Sequence, residues 1–293
     1  MKSIPAVQLE KYMHRRIIKN KIARGIFFLS VLFCLSVLAM LLGRIFTQGI
    51  HWINFDFLSG KLSTLPERAG IFGAILGTVW LMLVVIPVTM IIGISSAIYL
   101  QLYAKKGRMQ GFIQTNIANL AGVPSIVYGI LGLTVFVRAL DLGSVVLAGG
   151  LTMALLILPI VIVASQEAIL AVNDDISSAS YGIGASKWQT IRHIIIPAAL
   201  PGILTGAILS LSRAIGETAP LIVIGIPAFL IPFPGSIMDK FTVLPMQIYY
   251  WTLDATLVSE YANLAAATII VLLFCLLFLN VSAVFIRNKF QQK

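Results

Sequence analysis

Residues 171–202 read AVNDDISSASYGIGASKWQTIRHIIIPAALPG, a polar stretch with helix-start and helix-stop signals set between two long apolar runs. Asp174 or Asp175 can cap a first helix, and Gly184 suits the left-handed position that ends it. Ser186, followed three residues later by Gln189, makes a capping box for a second helix. Trp188, Ile191 and Ile195 recur on one apolar side of that helix. Pro197 is expected to end it, and Pro201 suits the first turn of the apolar run that follows. Two capped helices form a docking surface rather than a tether.

Working outward, 59% of the 293 residues are hydrophobic and only 11% are charged, against roughly 25% charged in an ordinary soluble domain. That composition excludes a water-soluble globule, and it carries too much apolar surface for solvated disorder. Six apolar runs, 25–47, 71–103, 112–137, 143–169, 200–226 and 262–286, each suffice to cross a bilayer, so the chain reads as an all-α polytopic membrane protein. Lys and Arg decide its orientation. With the N-terminus inside, 15 of them lie in residues 1–24, 104–111, 170–199 and 287–293, and 5 lie outside. Both termini and the 171–202 loop are therefore expected in the cytoplasm.

Residues 1–24 hold 7 Lys and Arg and are expected to form a separate basic segment ahead of a membrane domain at 25–293. They are too long and basic for the front of a cleaved signal peptide. The pattern KYMHRRIIKNKIAR fits a helix lying on an anionic leaflet, and a disordered basic tail fits equally well. Cys34 and Cys275 each sit mid-run, where a thiol behaves as a small hydrophobe, and His14, His51 and His193 show no ligand spacing. No metal, cofactor or disulfide is expected, and the basic charge marks membrane topology rather than nucleic-acid binding. Gly73-x-x-x-Gly77, Ser125-x-x-x-Gly129 and Gly202-x-x-x-Gly206 place small residues one turn apart, where neighbouring helices can approach closely.

The fifth run alone carries charge deep in the membrane. Counting from Pro201, Arg213 lies 12 residues along, roughly 18 Å at ~1.5 Å per residue, just past the middle of a ~30 Å core. Glu217 follows one turn later on the same face if the helix continues. Buried charges of this kind face protein or water, not lipid. In one reading Arg213 offers planar donors to a passing oxyanion while Glu217 holds it in place; in the other the two merely neutralise each other. Pro220 would leave the Gly216 carbonyl without its helical partner beside that pair. Pro124, Ser125, Tyr128 and, near the outer end, Arg138 are candidate lining residues of the third run, as is Thr218 of the fifth. Tyr249, Tyr250 and Trp251 read as an outer interfacial belt.

The loop resembles that of ABC importer permeases. Their pattern is Glu-Ala-Ala, three residues, Gly, nine residues, Ile, one residue, Leu-Pro. The matching residues here are Ser178-Ala179-Ser180, Gly184 followed by Ala185, then Ile194-Ile195-Ile196-Pro197. Ser178 replaces the family's glutamate. Three further motifs, Ala121-Gly122-Val123-Pro124-Ser125-Ile126-Val127-Tyr128-Gly129, Arg213-Ala214-Ile215-Gly216-Glu217-Thr218-Ala219-Pro220 and Leu244-Pro245-Met246-Gln247-Ile248-Tyr249-Tyr250-Trp251, look like the phosphate-specific importers. Among their two permease subunits the similarity is to the PstA type.

This resemblance implies a type I importer permease fold whose loop is a coupling element contacting an ATPase through Ser178, Ala179, Ser180, Gly184, Ala185, Ile194 and Pro197. It also implies a second permease of the PstC type, two ATPase copies that bind ATP and magnesium, an extracytoplasmic phosphate-binding protein and a bacterial inner membrane. No Walker A sequence occurs in the chain, so ATP hydrolysis would reside in the partner. A permease for molybdate or sulfate fits the loop as well. A polytopic membrane enzyme lacks the convergent acid, base or nucleophile it would need.

Overall fold

A computed structural model of the chain describes residues 6–227 and 233–291. In order these form α1 (Ala6–Gly49), α2 (Phe55–Ser59), α3 (Phe72–Ile98), α4 (Arg108–Leu120), α5 (Ser125–Gly132), α6 (Val146–Leu170), α7 (Asp174–Gly182), α8 (Lys187–Thr190), α9 (Ile196–Gly216), α10 (Ala219–Ile224), α11 (Leu244–Asp254) and α12 (Glu260–Gln291). The chain divides into two compact units, Met1–Gln48 and Gly49–Lys293.

In the first unit α1 is uninterrupted, so the basic segment and the first apolar run are one helix with no boundary at residue 24. Within the described residues the basic segment therefore joins the first apolar run through continuous helix; residues 1–5 lie outside them. Gly25 and Gly43 lie inside the helix without breaking it, each tolerated at a cost of about 1 kcal/mol. Apolar side chains from Ile26 to Met40 point outward all round, Phe27 with 71% of its surface exposed, a state that lipid or another protein must cover.

In the second unit α3, α6, α9 and α12 form the bundle. A central core joins Val85 of α3 to Met153 and Ile157 of α6 and Ala214 and Ile215 of α9. At one end Ala97, Ile169, Ile191, Ile195, Ala199 and Ile203 close a second core beneath the 171–202 loop. At the far end the segment entering α11 is threaded back into the bundle. Phe241 is fully buried, the Leu244 amide donates to Thr78 Oγ1 at 3.1 Å, and Trp80 Nε1 donates to the Pro234 carbonyl at 3.0 Å. Trp251 is buried too, 6.3 Å from the Phe57 ring, and Tyr250 donates its hydroxyl to the Ile226 carbonyl. The expected aromatic belt is thus largely an internal brace, with Tyr249 its exposed member.

Two runs differ from their sequence reading. The third is not one helix kinked at Pro124: α4 and the stretch Ser125–Ala139 cross at 100°. Pro124 disfavours helical backbone at Val123, and the turn closes with the Val123 amide on the Leu120 carbonyl. The fifth begins earlier and ends sooner than 200–226. Lys187–Gly216 is one continuous helical run, so Pro197 does not terminate the second loop helix. Residues Ile191–Ile195 wind as a π-helix just before Pro197, and the wider turn accommodates a residue that cannot donate. Five helical runs among the described residues are long and apolar enough to cross a bilayer, and the bent pair makes a sixth when counted as one span.

Candidate functional site

The RAIGETAP and AGVPSIVYG motifs, 90 residues apart, meet where both helices break. α9 stops at Gly216, Glu217 is extended at φ −82° and ψ 126°, and α10 starts at Ala219 with Pro220 in its first turn. Gly129 of α5 packs on this start, so closely that a Cβ there would stand 2.8 Å from the Pro220 Cα. Tyr128 is buried, and its hydroxyl donates to the Leu120 carbonyl at 2.9 Å, tying the two arms of the bent span together. In this position it braces the site.

Arg213 and Glu217 do not share a helix face, because the helix has ended between them, and neither makes a salt bridge among the described residues. The break leaves the two side chains without a direct ion pair within this chain. Arg213 instead occupies the last turn of α9, where unpaired carbonyls concentrate negative potential that favours a cation. Pro220 belongs to a new helix rather than interrupting a running one, and it is buried; Glu217 and Thr218 are half-buried in the linker or at its edge.

Arg213 itself is exposed. With Gly202, Leu209 and Gly216 it forms one stripe of α9, opposite Ile203, Ala207, Ser210 and Ala214, which face the core. Ser212 Oγ lies 2.5 Å from Asn280 Oδ1 of α12, and Thr205 lies 3.4 Å from Arg287 Nη1. Both pairs are separated by seven residues on each helix, so α9 and α12 run antiparallel in register. Arg213 is then about 12 Å from the Thr205 level.

Pro124 and Ser125 stand at the start of α5, exposed and half-buried respectively, and Arg138 is exposed in the π-helical extension Leu133–Ala139. Sequence reasoning missed Ser212 and Asn280, whereas Gly129 makes the close approach expected of the Ser125-x-x-x-Gly129 spacing. An amide deep in the apolar run 262–286, whose other amide, Asn263, stands at its very start, was the available signal for Asn280.

The loop is built as a clasp. Asn173, rather than Asp174 or Asp175, caps α7 by accepting from the Asp175 amide at 2.9 Å. Gly184 has φ +90°, which a side chain would disfavour, and the Ser186–Gln189 capping box forms. Ser180 is buried, its hydroxyl 2.9 Å from that of fully buried Thr190, so it joins α7 to α8 and offers no outward contact. Ser178, Ala179 and Gly184 are exposed, as is Pro197, while Ala185 and Ile194 are half-buried. Ile191 and Ile195 face the core but Trp188 does not, with 56% of its surface exposed beside Tyr181 and 87%-exposed Ile183. Lys187 Nζ sits 4.7 Å from the Tyr103 ring, linking the loop to the end of α3. Among the described residues no group of three or more His, Cys, Asp or Glu is placed to hold a metal.

Residues 89–293 match the model of the binding-protein-dependent transport system inner membrane component family. The chain belongs to that family. It is 33% identical over 279 residues to the phosphate transport system permease protein PstA 1 of Mycobacterium tuberculosis, covering 87% of this chain and 88% of the relative. To the phosphate transport system permease protein PstA of Haemophilus influenzae it is 30% identical over 277 residues, 94% of each chain. Its fold is similar to that of a bacterial alginate ABC transporter chain at a TM-score of 0.64 and 15% identity, covering 92% of this chain and 94% of that one. A chain of the MetNI methionine ABC transporter aligns at a TM-score of 0.58 and 16% identity, over 75% and 94%.

As a member of the binding-protein-dependent family the chain is a multi-pass inner-membrane permease subunit, a non-catalytic part of an importer. The family implies an ATPase and a binding protein as its partners. The type I importer permease fold expected from the loop is the observed one.

Proposed function

We propose that this chain is the PstA-type permease subunit of an ATP-driven phosphate importer. It would pair with a PstC-type permease, rest on two ATPase copies, and receive phosphate from an extracytoplasmic binding protein. Both termini and the 171–202 loop then lie in the cytoplasm, in keeping with the Lys and Arg distribution. The chain binds no cofactor of its own in this reading; ATP and magnesium belong to the ATPase.

One observation carries the route: Arg213 is exposed on an apolar bundle, at a depth where a guanidinium facing lipid would cost roughly 2.5–3.5 kcal/mol or more. A water-filled path against the second permease would remove that cost and give the planar donors an oxyanion to meet. Glu217, Thr218, Pro124, Ser125 and Arg138 are the accompanying candidates, none of them paired with Arg213 by a salt bridge. Below, the exposed Ile183, Tyr181 and Trp188, with Ser178 and Ala179, form the face offered to the ATPase. Nucleotide-driven closure would push this clasp, and the continuous run from Lys187 to Gly216 would carry the push to the helix end that holds Arg213.

The test is uptake and ATP hydrolysis by the complete complex in proteoliposomes, comparing the native chain with Arg213→Gln after intact assembly is verified. Uptake should collapse while ATP hydrolysis persists. Unchanged uptake would sink the pathway role, and transport of sulfate or molybdate in place of phosphate would sink the substrate assignment.

A further inference from the structure

We infer that Asn280 is a positioning residue for Arg213, acting through Ser212; the functional sense of this rests on the pathway reading above. Asn280 lies in the apolar run of α12, where an amide without a partner is costly. Thr268 on the same helix satisfies its hydroxyl locally on the Leu264 carbonyl, but Asn280 reaches across to α9. Ser212 Oγ is 2.5 Å from Asn280 Oδ1 and 2.8 Å from the Ile208 carbonyl, yet a hydroxyl has one proton to give. Turning the amide over resolves this: Nδ2 donates to Ser212 Oγ, which donates to Ile208, so the one hydroxyl proton suffices.

The location gives the bond its purpose. α9 ends at Gly216, four residues beyond Ser212, and Arg213 sits in that last turn without onward helical bonds to hold it. Ala214 and Ile215 fix one side of the turn against the core. Asn280 holds the other side, so the two together set the roll of the helix and the direction in which the Arg213 side chain leaves it. Thr205 and Arg287 form the next rung, seven residues away on both helices, which makes the register specific rather than a chance contact.

The experiment uses the complete complex in proteoliposomes with Asn280→Leu and the reciprocal pair Ser212→Asn with Asn280→Ser. Asn280→Leu should raise the phosphate concentration for half-maximal uptake about three- to tenfold, in line with the modest strength of interhelical hydrogen bonds, and leave basal ATP hydrolysis unchanged. The reciprocal pair should restore it. Direction is read separately by Arg213→Cys in a Cys34→Ser, Cys275→Ser background: Asn280→Leu should change the rate of labelling by a charged methanethiosulfonate severalfold. Unchanged labelling, or a loss of uptake that the reciprocal pair does not recover, would overturn the proposal. Normal uptake by Arg213→Gln would remove the pathway reading alone, because the labelling rate still decides whether Asn280 sets this position.

Discussion

Gly129 lies against Pro220 with no room between them: a methyl group on Gly129 would stand 2.8 Å from the Pro220 Cα and 3.0 Å from its carbonyl oxygen. Both neighbours are backbone and cannot swing aside, so α5 would have to move away from α10. Gly129→Ala should destabilise the protein by about 1–3 kcal/mol, seen as a lower unfolding temperature in detergent. Gly111→Ala is the control. Its Cβ would meet nothing within 4 Å in α4, and replacing a helical glycine should be neutral or mildly stabilising.

Ser180 and Thr190 predict a different loss. Ser180→Val removes the hydroxyl that clasps α7 to α8 but leaves Thr190 its bond to the Ser186 carbonyl. The cost should be about 1 kcal/mol, too little to unfold the bundle. Co-purification of the ATPase should nevertheless weaken, because the exposed face of the loop depends on the angle between its two helices. Undiminished co-purification would show that the clasp is irrelevant to docking.

Ile183 tests the docking face directly. Its side chain is 87% exposed in a loop outside the apolar runs, where a large aliphatic group has no folding role. Ile183→Asp should leave the unfolding temperature unchanged and abolish ATPase binding. Ser178→Glu, at an exposed position, should also keep the fold, and it asks whether the acidic residue usual in this family strengthens the contact.

How much of this was legible beforehand depended on whether the deciding interaction was local. The capping box at Ser186 and the left-handed Gly184 follow from residues within a few positions of one another, and each is found as read. Pro197 was misread because a proline signals a missing donor, but whether the chain bends, breaks or widens into a π-turn depends on what packs nearby. The Arg213–Glu217 pairing assumed a continuous helix, and the break at Gly216 is set against α5 from a distant part of the chain. Ser180 looked like a surface residue because its partner, Thr190, is visible only once the loop folds on itself.

Asp239 makes the far end sensitive to pH. Its exposed carboxylate accepts the Gly235 amide at 2.8 Å and the Ser236 amide at 2.9 Å, and these bonds, that to Gly235 foremost, hold its pKa below the ordinary carboxylate value. A lowered folded pKa means the turn's contribution is complete above the unfolded value and is lost as pH falls through the folded one. Protection of the 235–240 amides, measured against the intrinsic exchange rate at each pH, should therefore be high at neutral pH and fall in acid below the usual carboxylate range. Asp239→Ala should make exchange fast at neutral pH and remove the acid dependence. A dependence that survives this substitution would assign the effect to another group.

Arg213 separates charge from geometry. The last turn of α9 favours any cation, so Arg213→Lys keeps the match to the helix end and should assemble normally. An ammonium offers a point charge where a guanidinium offers a planar fork, so uptake by Arg213→Lys should fall by about tenfold if an oxyanion is met in two-pronged fashion. Arg213→Gln retains donors without charge and should transport less than the lysine variant. Arg213→Glu sets a carboxylate against unpaired carbonyls at membrane depth, and it should lower the yield of assembled complex before transport is measured. The order Arg, Lys, Gln in uptake with equal assembly of the three would mark an anion-handling group. Equal uptake by Lys and Gln would mean that charge at the helix end is irrelevant to the cargo, and Arg213 would then serve only the packing of the two permeases.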